Sequence, residues 1–320
     1  MHTITPNANS VHEKIMLSRE LLYEFEKGLN PQKPAESKIP ARIVGYGEIS
    51  AIFEIEADTV HVYKRLPLFD SLVAARHYQQ MYLDYCRLLA KAGLSLPAHD
   101  TRIVAVPGRP TVLYIAQKKL PDANFGHKLI HHLDDGSSLD LIEHAIREIV
   151  KIWNFNSANK PDIELAIDGQ LSNWVRDSEN NQRLCYIDTS TPLFCKQGVE
   201  QQNPELLLKS APGFLRWIIR LFFLQDVMTR YYIPRLVFMD LIANLHKEQK
   251  PELIEPSIEC VNEHLPHDQA PLTKTEVDKY YREDKLIWIV FLGLRRLDRF
   301  ITTRLLRKRY EFILPGKIKR

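Results

Sequence analysis

Asp168, Asn173 and Asp188 are the residues whose types and spacing could carry chemistry. Asn173 follows Asp168 by five positions, and the short apolar runs Trp174–Val175 and Leu184–Ile187 then lead to Asp188. Two carboxylates and a carboxamide, each at the end of a short strand-like run, can gather around one divalent cation and one hydroxyl. Phosphoryl transfer needs those groups: a base or positioner for the acceptor, and oxygen ligands for magnesium beside the phosphates. The same stretch also reads as a polar hairpin between two strands, because Asp-Gly and Ser-Asn are ordinary turn pairs. The surrounding elements must decide.

Upstream, Ala41–Val44, Ala51–Glu56 and Thr59–Lys64 alternate or run β-branched and read as strands, with Ala57-Asp58 as a tight turn. Gly45-Tyr46-Gly47, followed by Ser50, lies between the first two. A glycine-rich turn there can lay its backbone N–H groups over phosphates, where a side chain would obstruct the approach. Lys64 ends a strand of apolar and aromatic residues (Val60, Val62, Tyr63) and can hold phosphate oxygens as a point charge. Arg65 beside it is equally consistent with a solvated edge. A helix begins at Asp70 or Ser71, with Ala75, Tyr78, Tyr82, Tyr85 and Leu89 on one face, and ends before Gly93. Ile103–Val106 and Val112–Gln117 form a hairpin, Lys118–Pro121 is a crossing, and Leu139–Phe155 is a helix. After Pro204 the pattern is helical over 204–209, 213–232, 235–248 and 273–310, with residues 249–272 and their four prolines as a loop. At the other end, Ser10 and Glu13 make a capping box for a helix that stops near Gly28, and Asn30–Pro40 reads as a linker.

Taken in order, glycine turn, strand lysine, helix, two strands, crossing, helix, Asp-x4-Asn, strand and Asp resemble the protein kinase-like superfamily over roughly residues 41–190. The chain looks more like its small-molecule branch (aminoglycoside, choline and similar phosphotransferases), because a helical tail follows Asp188 and no A-P-E segment is found. The resemblance implies an α+β, two-lobed fold. A helical extension and linker (1–40) would precede a small antiparallel-sheet N-lobe (41–119) and a mostly helical C-lobe (120–320). It implies that Gly45, Gly47 and Ser50 cover the phosphates of ATP and that Lys64 steadies them. Asp168 would be the catalytic aspartate, while Asn173 and Asp188 hold Mg2+. The expected activity is ATP- and magnesium-dependent phosphoryl transfer to a small hydroxylated acceptor. Departures from the family pattern keep two alternatives open. Ala166-Ile167 stand where a histidine and arginine are usual, and Thr189-Ser190 follow Asp188 in place of Phe-Gly. Helix 70–92 has no glutamate for Lys64, so Gln79, Gln80 or Asp84 must substitute, and only Asp84 could form an ion pair. These departures also fit a catalytically weak or inactive pseudokinase serving as a nucleotide-binding or protein/membrane interaction module. A register with Gln170 at the aspartate position would bring Asn173 two residues too early, so Asp168 is preferred. Nucleotidyl transfer at the same site would use the same ligands.

Composition narrows the rest. A hydrophobic content of 45% with 26% charged residues suits a globular protein in water. Cys86, Cys185, Cys195 and Cys260 are widely spaced and form no C-x-x-C pair, so neither a zinc site nor a disulfide framework is expected and a reducing, cytoplasmic setting fits. The polar start suggests no signal peptide. The greasy stretch Phe214–Tyr232 carries Arg216, Arg220, Asp226 and Arg230, and reads as a buried helix, not a membrane span. His131-His132 with Asp134-Asp135 reads as a solvated loop, and His127 as a possible substrate-side group. Residues 295–320 hold ten Lys or Arg against Asp298 and Glu311, although the whole chain is only +3. Leu286, Val290, Leu294, Leu297, Ile301 and Leu305 recur at helical spacing among Arg295, Arg296, Arg299, Arg304, Arg307, Lys308 and Arg309. This pattern fits a docked helix with a solvated basic face, or peripheral contact of residues 285–320 with an anionic membrane. No aromatic platform accompanies the charge, so no nucleic-acid partner is expected.

Overall fold

The computed structural model describes residues 15, 17–47, 50–177, 183–209 and 229–315. The hydroxyl of Ser18 accepts the backbone N–H of Leu21 and starts α1 (Arg19–Gly28), which buries Leu22, Phe25 and Glu26. The helix therefore begins later than the Ser10 capping box implies. Ile15 and Leu17 are buried in non-helical chain ahead of the cap, and Ser10 and Glu13 lie outside the described residues.

Five antiparallel strands follow in the order β1-β2-β3-β5-β4: β1 (Ala41–Tyr46), β2 (Ala51–Ile55), β3 (Asp58–Phe69), β4 (His99–Val104) and β5 (Thr111–Lys118). The helix α2 (Leu72–Lys91), capped by Ser71, joins β3 to β4. Cross-strand partners share a face of a sheet, and neighbours along a strand alternate. Gly45, Ile52, Lys64 and Ile115 pair across the strands, as do Tyr46, Ala51, Arg65 and Tyr114. Each row occupies its own face. On Lys64's side, Leu66, Leu113 and Ile115 join the large core that contains Tyr78, Tyr82 and Tyr85 of α2. On Arg65's side, Ala51, Phe53, Tyr63 and Tyr114 pack with Leu22 and Phe25 of α1 and with Ile313 from far along the chain.

Beyond the sheet lie α3 (Gly126–Leu129), α4 (Asp135–Asn159), β6 (Ile163–Leu165), β7 (Trp174–Asp177), β8 (Arg183–Tyr186), β9 (Phe194–Lys196), β10 (Val199–Glu200) and α5 (Pro204–Leu208). Strands β7 and β8 form a ribbon, and β6, β9 and β10 a small sheet. Then come α6 (Pro234–Lys247), α7 (Ile254–His264) and α8 (Lys274–Phe300). The fold is mixed, with an antiparallel sheet toward the N-terminus and helices toward the C-terminus.

Two further expectations change. Residues 249–272 are not all loop, because α7 buries Ile254, Ile258 and Val261. Pro256 sits in its first turn, where no intrahelical N–H bond is required, and Pro266 and Pro271 come after its end. The last helix does not run to Tyr310. It starts at a complete Thr273–Glu276 capping box, ends at Phe300, passes through a wider turn over Ile301–Leu305, and the chain then doubles back so that Tyr310, Ile313 and Leu314 are buried. Most of the expected helix 213–232 lies outside the described residues.

Candidate functional site

Alternation along β3 sends two adjacent cations to opposite faces. The ammonium of Lys64 donates to Asp188 Oδ1 at 3.1 Å and to the carbonyl of Ile187 at 3.0 Å. Lys64 is 3% exposed, whereas the Asp188 side chain is 34% exposed and marks the open edge of the site. The carboxylate expected on α2 does not take this role. Asp84 faces Arg87 and Lys196, Gln80 donates to Asp84, and Gln79 donates to Thr101.

The residues around Asp188 are held from behind by α2. Tyr78 donates its hydroxyl to the carbonyl of Ser190 (2.8 Å), Tyr85 to that of Ala166 (2.8 Å), and Thr189 donates to the Tyr82 oxygen at 3.4 Å. Burial pushes the pKa of all three phenols upward, which keeps them neutral. Burial likewise pushes the Cys86 thiol up to about 11. Gln117 on β5 donates to the Ile187 carbonyl (3.1 Å) and the Thr189 hydroxyl (3.2 Å), and Ser190 donates to Asp188 Oδ1 at 3.1 Å.

Asp168 follows the end of β6. That strand is clamped by Asn156, whose carboxamide exchanges two 2.7 Å bonds with the backbone of Leu165. Asp168 Oδ1 accepts the N–H of Gln170 (3.1 Å), and Asn173 Nδ2 donates to the Asp168 carbonyl (3.2 Å). The carbonyl of Asn173 accepts the N–H of Ile187 at 3.0 Å. Hydrogen bonds thus run from Asp168 through Asn173 to Ile187, and Lys64 and Asp188 close the chain. Gly169 is required by crowding, since a Cβ there would lie 2.8 Å from both Ile149 and Val237.

Below this loop, Gln170 donates to Asp240 Oδ2 at 2.9 Å and Tyr280 to Asp240 Oδ1 at 3.0 Å. Asp240 is buried on α6, and burial raises its pKa above the ordinary carboxylate value. Sequence reasoning missed this anchor. Its only signal is an aspartate inside the apolar run Leu236–Ala243.

Of the phosphate-covering residues, Gly45 shares Lys64's face, and the Gly47 N–H bonds to the Ser50 carbonyl at 2.9 Å. Glu48 and Ile49 lie outside the described residues. Ser50 is 7% exposed and lines a small cavity with Arg65, Arg295, Glu311 and Ile313, on the face away from Lys64. Arg65 itself meets both oxygens of Glu26 at 2.7 Å, the Glu311 carbonyl at 2.7 Å and its carboxylate at 2.8 Å. Burial opposes the charge on Glu26, but the Arg65 guanidinium outweighs it and holds the carboxyl below its usual range.

The donor set suits a hard cation. Lys64 and Ser190 occupy Oδ1 of Asp188, which leaves Oδ2 for a ligand, and Asn173 has committed its nitrogen, which leaves its oxygen. Among the described residues there is no group of three or more His, Cys, Asp or Glu that could hold a metal ion. One carboxylate and one carboxamide match magnesium that completes its shell with water and phosphate oxygens. His127, on α3, is half-buried beside Phe125, and burial lowers its pKa.

Comparison with known proteins gives a family and a distant structural likeness. The model of a family of unknown function, DUF6206, matches residues 33–299, and the chain belongs to that family. No curated protein matches the chain. A solved structure described as "WaaP in complex with acyl carrier protein" is similar at 11% identity and a TM-score of 0.33, over 76% of this chain and 90% of that one. A TM-score that low supports no residue correspondence.

Proposed function

We propose, for this member of the DUF6206 family, an ATP- and magnesium-dependent phosphotransferase with a two-lobed, kinase-like α+β frame and a small hydroxylated acceptor. The observation that carries this reading is the buried Lys64 paired with the partly exposed Asp188, linked through Asn173 to Asp168. A lysine this buried needs a paired charge, and the partner it has is a carboxylate that solvent reaches. In the proposed reaction Lys64 turns from Asp188 to the nucleotide phosphates as a point charge. Asp168 positions the acceptor hydroxyl and takes its proton at a carboxylate oxygen. Asn173 and Asp188 hold magnesium, which when bound supplies charge neutralisation at the phosphate oxygens. Backbone N–H groups near Gly45 and Gly47 cover the phosphates, with no part for the Ser50 side chain. Positioning and electrostatics account for most of the rate, because little covalent work falls to the protein.

A second reading, a nucleotide-binding module without turnover, draws on one observation: α2 offers Lys64 no carboxylate that would hold it once Asp188 turns to a cation. Thermal melting with ATP, with and without magnesium, separates the two. A ligand at a hundred times its dissociation constant adds about 2.7 kcal/mol. For a chain of this length that is roughly a 4 °C rise. A magnesium-dependent rise that Asp188→Ala abolishes supports the phosphotransferase. A rise indifferent to magnesium supports the silent binder, and no rise at millimolar ATP refutes both.

A further inference from the structure

Half of the exposed large apolar side chains among the described residues fall between Leu286 and Leu306. On α8, Leu286, Ile289, Val290, Leu297 and Phe300 are each 46–63% exposed. At 3.6 residues per turn they share an arc of about 100°, opposite the buried Leu292 and Arg295. Leu305 and Leu306 extend the patch past the helix end.

Charge indicates what covers it. Between Lys285 and Tyr310 the sole carboxylate is Asp298. Three of the arginines are committed within the fold: Arg295 stacks on Phe291 and Phe312, Arg296 donates to the Pro315 carbonyl, and Arg309 bonds to Glu311 and the Leu29 carbonyl. Arg304, Arg307 and Lys308 remain exposed beside Phe300, Leu305 and Leu306. A parallel second copy on this face would set those cations against their own kind. Among the described residues no helix is long and apolar enough to cross a membrane.

We infer that the exposed face of α8 and the turn after it, from Leu286 to Lys308, dock on a bilayer rich in anionic phospholipid. The apolar side chains enter the headgroup boundary, and Arg304, Arg307 and Lys308 meet the phosphates. Apolar insertion and basic attraction together give the two signals that stable peripheral binding requires.

Flotation of the full chain tests this on vesicles of phosphatidylcholine alone and of phosphatidylcholine with phosphatidylglycerol. The wild type is expected to float only with phosphatidylglycerol, and less in high salt. Each cation near such a surface is worth about fivefold, so Arg304→Gln, Arg307→Gln and Lys308→Gln together should lower partitioning about a hundredfold. Leu297→Ser with Phe300→Ser should lower it about tenfold or more without moving the melting temperature, since both side chains are exposed. Equal recovery on neutral vesicles, or none on either, would overturn the inference. So would self-association in sedimentation that Leu297→Ser with Phe300→Ser abolishes, because the face would then belong to a second copy.

Discussion

Lys64 and Arg65 are neighbours on one strand, and their replacement by methionine should give opposite phenotypes. Arg65 is 2% exposed and meets Glu26 and Glu311, whose side chains are 1% and 12% exposed. Arg65→Met removes the guanidinium and leaves the buried Glu26 with Tyr114 still donating to it, while Glu311 keeps its pairing with Arg309. Breaking a buried pair in this way costs about 3–5 kcal/mol. Unfolding entropy of about 2.1 cal/mol/K per residue, taken over the 320 residues, converts this into a fall of roughly 4–8 °C. Lys64→Met instead frees a carboxylate that water can reach, and the Ile187 carbonyl keeps its bond from Gln117. That change should cost about 1 kcal/mol or less and, under the proposed function, remove the stabilisation by ATP. The two variants also differ in pH dependence. In the wild type the lowered Glu26 pKa contributes stability that is present above the unfolded glutamate value, about 4.3, and lost as pH falls through the folded one. In Arg65→Met, burial without the guanidinium raises that pKa, so the penalty is present at neutral pH and relieved as pH falls. The gap between wild type and Arg65→Met, measured by melting from pH 7 to pH 4, should therefore narrow. If Lys64→Met melts as low as Arg65→Met, or the gap is constant with pH, the assignment of the two cations to opposite faces is wrong.

Two further outcomes test the supports of the site. Gln170→Leu removes the donor to Asp240 Oδ2 and should cost about 1–3 kcal/mol in urea unfolding, and an unchanged midpoint would remove Asp240 as the anchor of the loop. The Cys86 and Cys185 thiols are pushed up to about 11 by burial, which leaves roughly one thiolate in a thousand at pH 8. Iodoacetamide at that pH should modify both only on unfolding, as peptide mass spectrometry would read out, and rapid native labelling of Cys86 would mean that α2 is not packed as described.

The parts of the fold that sequence reasoning found are those where pattern and packing agree. The strands from Ala41 to Lys64 show because one side of the sheet meets α1 and the other α2, and the stripe Ala75, Tyr78, Tyr82, Tyr85, Leu89 is the buried face of α2. What escaped depended on contacts far apart in sequence. Prolines made 249–272 look like loop, although their positions at the start and beyond the end of α7 are ones a helix tolerates. The return of the chain after Phe300 is fixed by Glu311 finding Arg65, 246 positions away, and no local period announces that. In the sequence Lys64 stands out as a strand lysine and Asp188 as an aspartate at the end of an apolar run. That they touch each other, and that Asp84 touches neither, required coordinates.

The tyrosines of α2 give that missing contact a physical meaning. A helix carboxylate bound to Lys64 would tie α2 to the sheet by charge and would compete with any anion for the same ammonium. Here Tyr78 and Tyr85 bind carbonyl groups at Ser190 and Ala166, and Tyr82 receives the Thr189 hydroxyl, all as neutral groups away from solvent. These bonds hold α2 against the residues that flank Asp168 and Asp188 without engaging the ammonium, and salt does not screen them. Lys64 is left with a partner that is one-third exposed and can be drawn toward a cation. Packing of α2 and charge at the site are thereby separated. Under the proposed function, nucleotide would enter at the electrostatic cost of one ion pair, while the helix behind it stays in place.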